Sequence, residues 1–257
     1  MNVLPMQEEK VEYKELRIEG RNPVIEAFRS GKTIDKLYVL DGCQDGPVRT
    51  IIREARKQKT IISFVTKERL DQMSETHHHQ GVIASAAAYE YAEVDDILEK
   101  ARQAGEDPFI FVLDGIEDPH NLGAIIRTAN LAGAHGVIIA RHRAVGLTAV
   151  VARASAGALN YTPVAKVTNI TATMEQLKKE GIWFVCADMS GEVMYRQNLT
   201  GPIGLVIGNE GDGVSRLVKE ACDYTASIPM KGDIDSLNAS VAAGVLAYEI
   251  VRQRMNS

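Results

Sequence analysis

The residues of this 257-residue chain that could do chemistry gather where three short apolar runs end. The first stretch, "LDGIEDPHNLGAIIRTANLAGA" (113–134), carries Asn121, Arg127 and Asn130. Pro119 and Asn121 read as a helix entry with Asn121 as N-cap, and Arg127 and Asn130 then lie three apart on one face. Such an arginine is either a solvated surface residue or a cation aimed at a ligand. The second stretch, "LVIGNEGDGVS" (205–215), sets Glu210 and Asp212 among Gly208, Gly211 and Gly213. A phosphate-cradling loop aims backbone N–H groups at an anion, and carboxylates inside it oppose that anion. The spacing is neither GxGxxG nor GxxxxGK[ST], so the loop suits a hydroxylated or cationic ligand, or is a tight turn with solvated acids. The third stretch, "SIPMKGDIDSLNASVAAGVLAYEI" (227–250), leaves a strand ending at Pro229 and crosses a polar loop. Ser236, Asn238 and Ser240 then open an Ala/Gly-rich helix; these are capping types, and the small residues invite a close neighbour, ligand or subunit.

Those stretches need elements to hold them. The runs "FIFVLD" (109–114), "GVIIA" (136–140), "IWFVCAD" (182–188), "GLVIG" (204–208) and "ASIPM" (226–230) are continuous rather than alternating. Strands of that kind are covered on both faces, which predicts a doubly wound α/β domain with a parallel sheet. In such sheets ligands bind beyond the carboxyl ends of the strands, where all three stretches lie. Upstream, 17–93 reads as a smaller αβ unit: a helix over 24–30, a strand at 36–40, a helix at 47–60, strand and helix in 61–74, and a strand in 80–89. A helix over 94–104, "VDDILEKARQA", ends at Gly105 and Pro108 and places a linker over 94–107, with the second domain over 108–257. Residues 1–16 read as a loose charged tail.

Composition narrows the function classes. Forty-five per cent hydrophobic and 25% charged residues are those of an ordinary globular protein. A net charge of −5 argues against a generally basic nucleic-acid coat, and 5% aromatics against extensive base-stacking platforms. One local exception is 49–70, with seven Lys/Arg against two Glu, a solvated helix face or an RNA contact. Cys43, Cys186 and Cys222 show no metal or disulfide spacing, and the adjacent histidines of "HHHQG" (77–81) suggest structural roles rather than a metal site. No secretory signal or membrane span is expected, which points to the cytoplasm.

Taken together, "NLGAIIRTAN", "LVIGNEGDGVS" and "IPMKGDIDSLNASVAAGVLAYE" resemble, in order and spacing, the three motifs of the SpoU (TrmH) family of RNA 2′-O-ribose methyltransferases, within the SPOUT superfamily. The upstream unit, with "EGRNPVIEAF" and "HHHQGVIA", is similar to that family's L30e-like substrate-binding domain, and the whole looks most like the bacterial 23S rRNA guanosine-2′-O-methyltransferase subgroup. The resemblance implies a C-terminal trefoil knot that binds S-adenosylmethionine, and a homodimer with its site near the subunit interface. It assigns donor contacts to Gly208, Ile228 and Leu237, with Met230 and Ser236 beside them. Asn121, Arg127, Glu210, Asn238 and Ser240 fall on the polar catalytic positions, and no metal is implied. Structured RNA is the implied partner, 23S rRNA before tRNA. The competing readings are a non-catalytic RNA-binding or ribosome-assembly factor and a nicotinamide-dependent oxidoreductase. The second is disfavoured because no GxGxxG follows "FIFVLD".

Overall fold

The computed structural model describes residues 16–43, 45–234 and 236–255. The tail expected over 1–16 lies outside the described residues apart from Leu16.

The upstream unit alternates strands and helices: β1 (Arg17–Glu19), α1 (Arg21–Arg29), β2 (Ile34–Leu40), α2 (Gly46–Lys57), β3 (Ile61–Val65), α3 (Lys67–Met73) and β4 (Val82–Ala86). The strands form one sheet in the order β1-β4-β2-β3, with β2 and β3 parallel and β4 antiparallel to both its neighbours. The period-2 alternation of β2 sorts its side chains. Leu37 and Val39 pack with Val24 and Phe28 of α1 and Ile51 of α2, while Tyr38 and Leu40 face Leu70 and Met73 of α3. α2 starts where the Asp45 side chain accepts from the Val48 N–H, with Pro47 in its first turn.

The larger unit holds α4 (Val94–Ala104), β5 (Phe109–Asp114), α5 (Pro119–Leu131), β6 (Gly136–Ala140), α6 (Ala149–Ala154), β7 (Val164–Val167), α7 (Ile170–Lys179), β8 (Trp183–Val193), β9 (Ile203–Gly208), α8 (Arg216–Glu220), β10 (Tyr224–Ser227) and α9 (Ala239–Arg254). Its six strands run in the order β10-β8-β9-β5-β6-β7, and every pairing is parallel. Both faces are covered, as the continuous apolar runs required. Phe111 and Leu113 of β5 face α5, α6 and α9, while Ile110 and Val112 face α4, α7 and α8.

Four expectations need correction. The segment 94–107, expected as a linker, carries α4, whose Ile97, Leu98 and Ala101 are buried against β5 and β6, so it belongs to the core of the larger unit. The strand expected over 226–230 stops at Ser227, because from Ile228 the chain leaves the sheet to line a cavity. Strand β7 was not anticipated, since Lys166 interrupts its four-residue run. β8 runs on to Val193 with an excursion inside it: Thr225 of β10 pairs with Cys186 but Ala226 pairs with Glu192, so 187–191 leave the ladder. A Cβ on Gly191 would stand 2.3 Å from the Thr225 carbonyl oxygen, so only glycine lets the strands cross there.

The two units share a polar seam. Lys166 of β7 pairs with Asp35 of β2, the Tyr91 hydroxyl donates to Asp35 (2.8 Å), and the Leu147 N–H donates to Tyr91 (2.9 Å). Burial and the Asp35 carboxylate together push the Tyr91 hydroxyl well above its ordinary pKa, so it remains a donor.

Candidate active site

At the carboxyl end of β9 the chain makes a tight return. Asn209 and Gly213 exchange backbone hydrogen bonds (3.0 and 2.9 Å), and the Asn209 side chain donates to the Gly115 carbonyl (2.9 Å) and accepts from the Gly211 N–H (2.7 Å). Gly208 lies beneath this return, and a Cβ there would sit 2.1 Å from the Gly213 carbonyl carbon. Gly213 has φ +69°, the left-handed region that favours glycine. The acids at 210 and 212 therefore ride on a loop whose geometry is fixed by glycine and Asn209.

Beside the return is a cavity of about 350 Å³ between the β8 excursion, the 208–213 loop, the chain at 228–230 and 236–237, and the start of α9. Gly208, Ile228, Met230, Ser236 and Leu237, the residues expected to contact a donor, all line it. So do the carboxylates Asp188, Glu210 and Asp212, and no described lining residue is Lys, Arg or His. A cavity of this size accommodates a small organic ligand. Its fixed carboxylates would repel a polyphosphate and attract a cation or hydroxyl donors.

Asp188 carried no motif signal beyond its place at the end of "IWFVCAD". Burial alone would raise its pKa, but hydrogen bonds from Lys219 (2.7 Å) and Ser190 (2.6 and 2.8 Å) outweigh that and hold it at about 2. It is therefore a fixed anion on the cavity wall.

The catalytic positions split into a joined group and one outlier. Asn121 is not the N-cap of α5. Asp118 is, accepting from the His120 N–H (2.9 Å), because Pro119 takes the first helical position where a missing N–H costs nothing. Asn121 thus sits inside the first turn, 7% exposed, with its side chain free to donate to Glu210 (2.8 Å). Asn238 donates to the same Glu210 oxygen and to Asn121 Oδ1 (3.1 Å). Asn238 also caps α9: its Oδ1 accepts from the Ser240 N–H (3.0 Å) and hydroxyl (2.6 Å). One carboxylate thus ties together the three stretches that the sequence sets far apart. Arg127, further along α5, is exposed and lies off the cavity, and its guanidinium makes no hydrogen bond or ion pair with any described residue. Asn130, expected to project with it, donates to Thr162 (3.1 Å) instead.

His79 is buried between Asp71 (2.9 Å) and the Gly81 N–H (3.0 Å), a structural place in a turn. Among the described residues no group of His, Cys, Asp and Glu is placed to hold a metal, and no helix is long and apolar enough to cross a membrane.

Comparison with known proteins gives concordant likenesses. Residues 108–248 match the model of the SpoU rRNA methylase family, and residues 17–92 match a model described as RNA 2′-O ribose methyltransferase substrate binding. A protein of Bacillus subtilis (strain 168), YacO, which carries the name of a TrmH family tRNA/rRNA methyltransferase, is 50% identical over 237 residues, 91% of this chain and 94% of that one. The SpoU methyltransferase AviRb from Streptomyces viridochromogenes, solved in complex with AdoMet, superposes with a TM-score of 0.60 at 30% identity, covering 95% of this chain and 91% of that one. The A. aeolicus TrmH/SpoU tRNA modifying enzyme superposes at 0.53 and 27% identity, covering 62% of this chain and 85% of that one.

Proposed function

This chain belongs to the SpoU rRNA methylase family of RNA methyltransferases, and we propose that it transfers a methyl group from S-adenosylmethionine to a ribose 2′-hydroxyl of RNA, a guanosine of 23S rRNA in the first instance. The observation that carries this reading is the acid-lined cavity at the end of β9, with no Lys, Arg or His among its described lining residues and with all five residues that the resemblance places at or beside the donor on its wall. When bound, the donor supplies an activated methyl on a positively charged sulfur. Glu210 and Asp212 provide the complementary charge, and the Gly208–Gly213 return brings backbone close enough to bind an adenosine without side-chain interference. The residues present fit that ligand.

The remaining residues position and activate the hydroxyl. Glu210 fixes both Asn121 and Asn238 through Oε1, and no described residue hydrogen-bonds to its Oε2. Asn238 in turn orients the Ser240 hydroxyl. Arg127 presents the guanidinium fork that suits a phosphate, so it binds the neighbouring phosphate and stabilises developing oxyanion charge.

The same proposal covers the finer architecture. The exposed apolar side chains Leu131 on α5 and Val241 and Tyr248 on α9 (64%, 50% and 52% exposed) form the face of a homodimer, and Arg127 lies one turn before Leu131 on α5. The β8 excursion and the 228–237 loop form a trefoil knot, the upstream unit is L30e-like, and the protein works in the cytoplasm. For the target, the matched family model carries the name of an rRNA methylase family and YacO that of a tRNA/rRNA methyltransferase, which puts ribosomal RNA first and tRNA second. Mapping ribose methylations in total RNA from cells with the gene deleted and restored tests the assignment. One 23S rRNA site should vanish and return. Loss of a tRNA site would move the target to tRNA, and unchanged maps would refute the proposal.

A further inference from the structure

The upstream unit carries a basic groove remote from the cavity. Arg49, Arg53 and Arg56 recur at positions i, i+4 and i+7 of α2 and therefore share one face over roughly 10 Å of helix. With Ile52, Lys57, Cys43 and Phe64 they line a shallow groove of about 630 Å³ between α2 and β3. β3 is the last strand of its sheet, so the groove opens along a free edge.

Two features set the groove apart from a solvated helix face. Phe64 is 55% exposed, whereas the chain's other four phenylalanines are at most 4% exposed. It stands among the arginines instead of in the core. The charge is also local: α2 has four cations and one acid in a chain of net charge −5. The acid, Glu54, is engaged by Lys57 (3.0 Å) and Arg53 (3.6 Å), which together hold its carboxyl below the usual range. The guanidinium groups of Arg49 and Arg56 make no ion pair or hydrogen bond with any described residue.

The helix that bears the groove is tied to the second unit just past its C-terminus. Lys59, two residues past the end of α2, accepts through its carbonyl from Arg141 (3.1 Å), directly after β6. That is the carboxyl end of the parallel sheet, the end at which β9 delivers Gly208 to the cavity.

We propose that this groove binds an unpaired stretch of the substrate RNA, with one base stacked on Phe64 and its flanking phosphates held by Arg49, Arg53 and Arg56. A lone exposed aromatic bordered by guanidinium groups is a stacking platform, and a base can reach it only when it is not paired in a duplex. The inference rests on the proposed RNA methyl transfer but concerns where the RNA is held, so the two fail separately.

The test measures binding of a short fluorescein-labelled single-stranded RNA, and of its blunt duplex, to the full chain by anisotropy. The single strand should bind more tightly. Phe64→Ala should weaken it roughly tenfold, Phe64→Trp should keep the affinity, and Phe64→Leu, which preserves apolar contact without a π face, should behave like alanine. Replacing all three arginines with glutamine should lower the slope of log affinity against log salt by about 2. Unchanged melting temperature and unchanged S-adenosylmethionine binding confirm intact folding and an intact cavity. In the transfer assay Phe64→Ala should raise the KM for ribosomal RNA and spare kcat. Equal binding by wild type, Phe64→Ala and Phe64→Leu would overturn the proposal, as would tighter binding of the duplex or of an acidic peptide. Wild-type protein that binds the strand but transfers no methyl would overturn the function and leave the groove standing.

Discussion

At the scale of single residues, the site is organised by one carboxylate and one glycine. Removing Glu210 leaves Asn121 buried without its acceptor, so Glu210→Ala should cost about 1–3 kcal/mol of stability, read in a denaturant titration. It should also depress methyl transfer, because Asn238 and Ser240 lose their orientation. Gly208→Ala places a methyl within 2.1–2.4 Å of the 213–214 backbone, which has no flexible end to move aside. Donor affinity should fall at least about tenfold by calorimetry, some 1.4 kcal/mol, and wild-type affinity would show that the return does not shape the cavity. Gly208, Ile228, Met230, Ser236 and Leu237 are grouped in the sequence only by the family resemblance, and the fold sets all five on one cavity wall. Asp188 was not legible there, because its significance comes from Lys219, which is distant in sequence and meets it only in the fold. The role of Asn121 was obscured by its type, since asparagine near a helix start reads as a cap until Asp118 is seen to occupy that place.

At the scale of elements, the helices around the site are packed as closely as backbone allows. Gly123 of α5 faces α6, and a Cβ there would meet the Ala154 methyl at 2.4 Å and the Val151 carbonyl oxygen at 2.8 Å. Alanine ordinarily gains about 1 kcal/mol over glycine in a helix, but forced separation of two packed helices costs about 1–3 kcal/mol. The clash involves backbone, so it should dominate: Gly123→Ala is expected to lower the melting temperature, and a rise would show that α5 and α6 can part freely. The strands of the larger unit were the most legible elements, since doubly covered strands must be apolar at every position. β7 and the 187–191 excursion were not, because Lys166 serves a partner in the other unit and the excursion is dictated by the crossing at Thr225 rather than by its own residues.

At the scale of the whole molecule, two polar anchors join parts that hydrophobic patterning says nothing about. Lys166→Met should strand the Asp35 carboxylate in the seam and cost about 3–5 kcal/mol, detectable as earlier or uncoupled unfolding of the two units. The second anchor is Glu19, which accepts from Ser74 (2.6 Å) and the Glu75 N–H (2.6 Å). Burial would raise its pKa, yet these bonds lower it from 4.5 to about 2. A depressed folded-state pKa contributes stability above the unfolded value and loses it as pH falls through the folded one. Wild-type stability should therefore drop between pH 4.5 and about 2, and Glu19→Gln should be less stable at neutral pH with a shallower decline across that window.

The claim on which these scales converge is that a donor held at Gly208 gives its methyl to a ribose oxygen under the control of Arg127. It is tested most directly by incubating wild type and Arg127→Ala with methyl-labelled S-adenosylmethionine and unmodified ribosomal RNA, then hydrolysing the RNA in alkali. Wild type should leave the label in alkali-resistant dinucleotides, the mark of a blocked 2′-hydroxyl. Arg127→Ala should transfer nothing while binding the donor as wild type does. Label recovered in mononucleotides or a free base, or an Arg127→Ala protein that still transfers at the wild-type rate, would contradict the account.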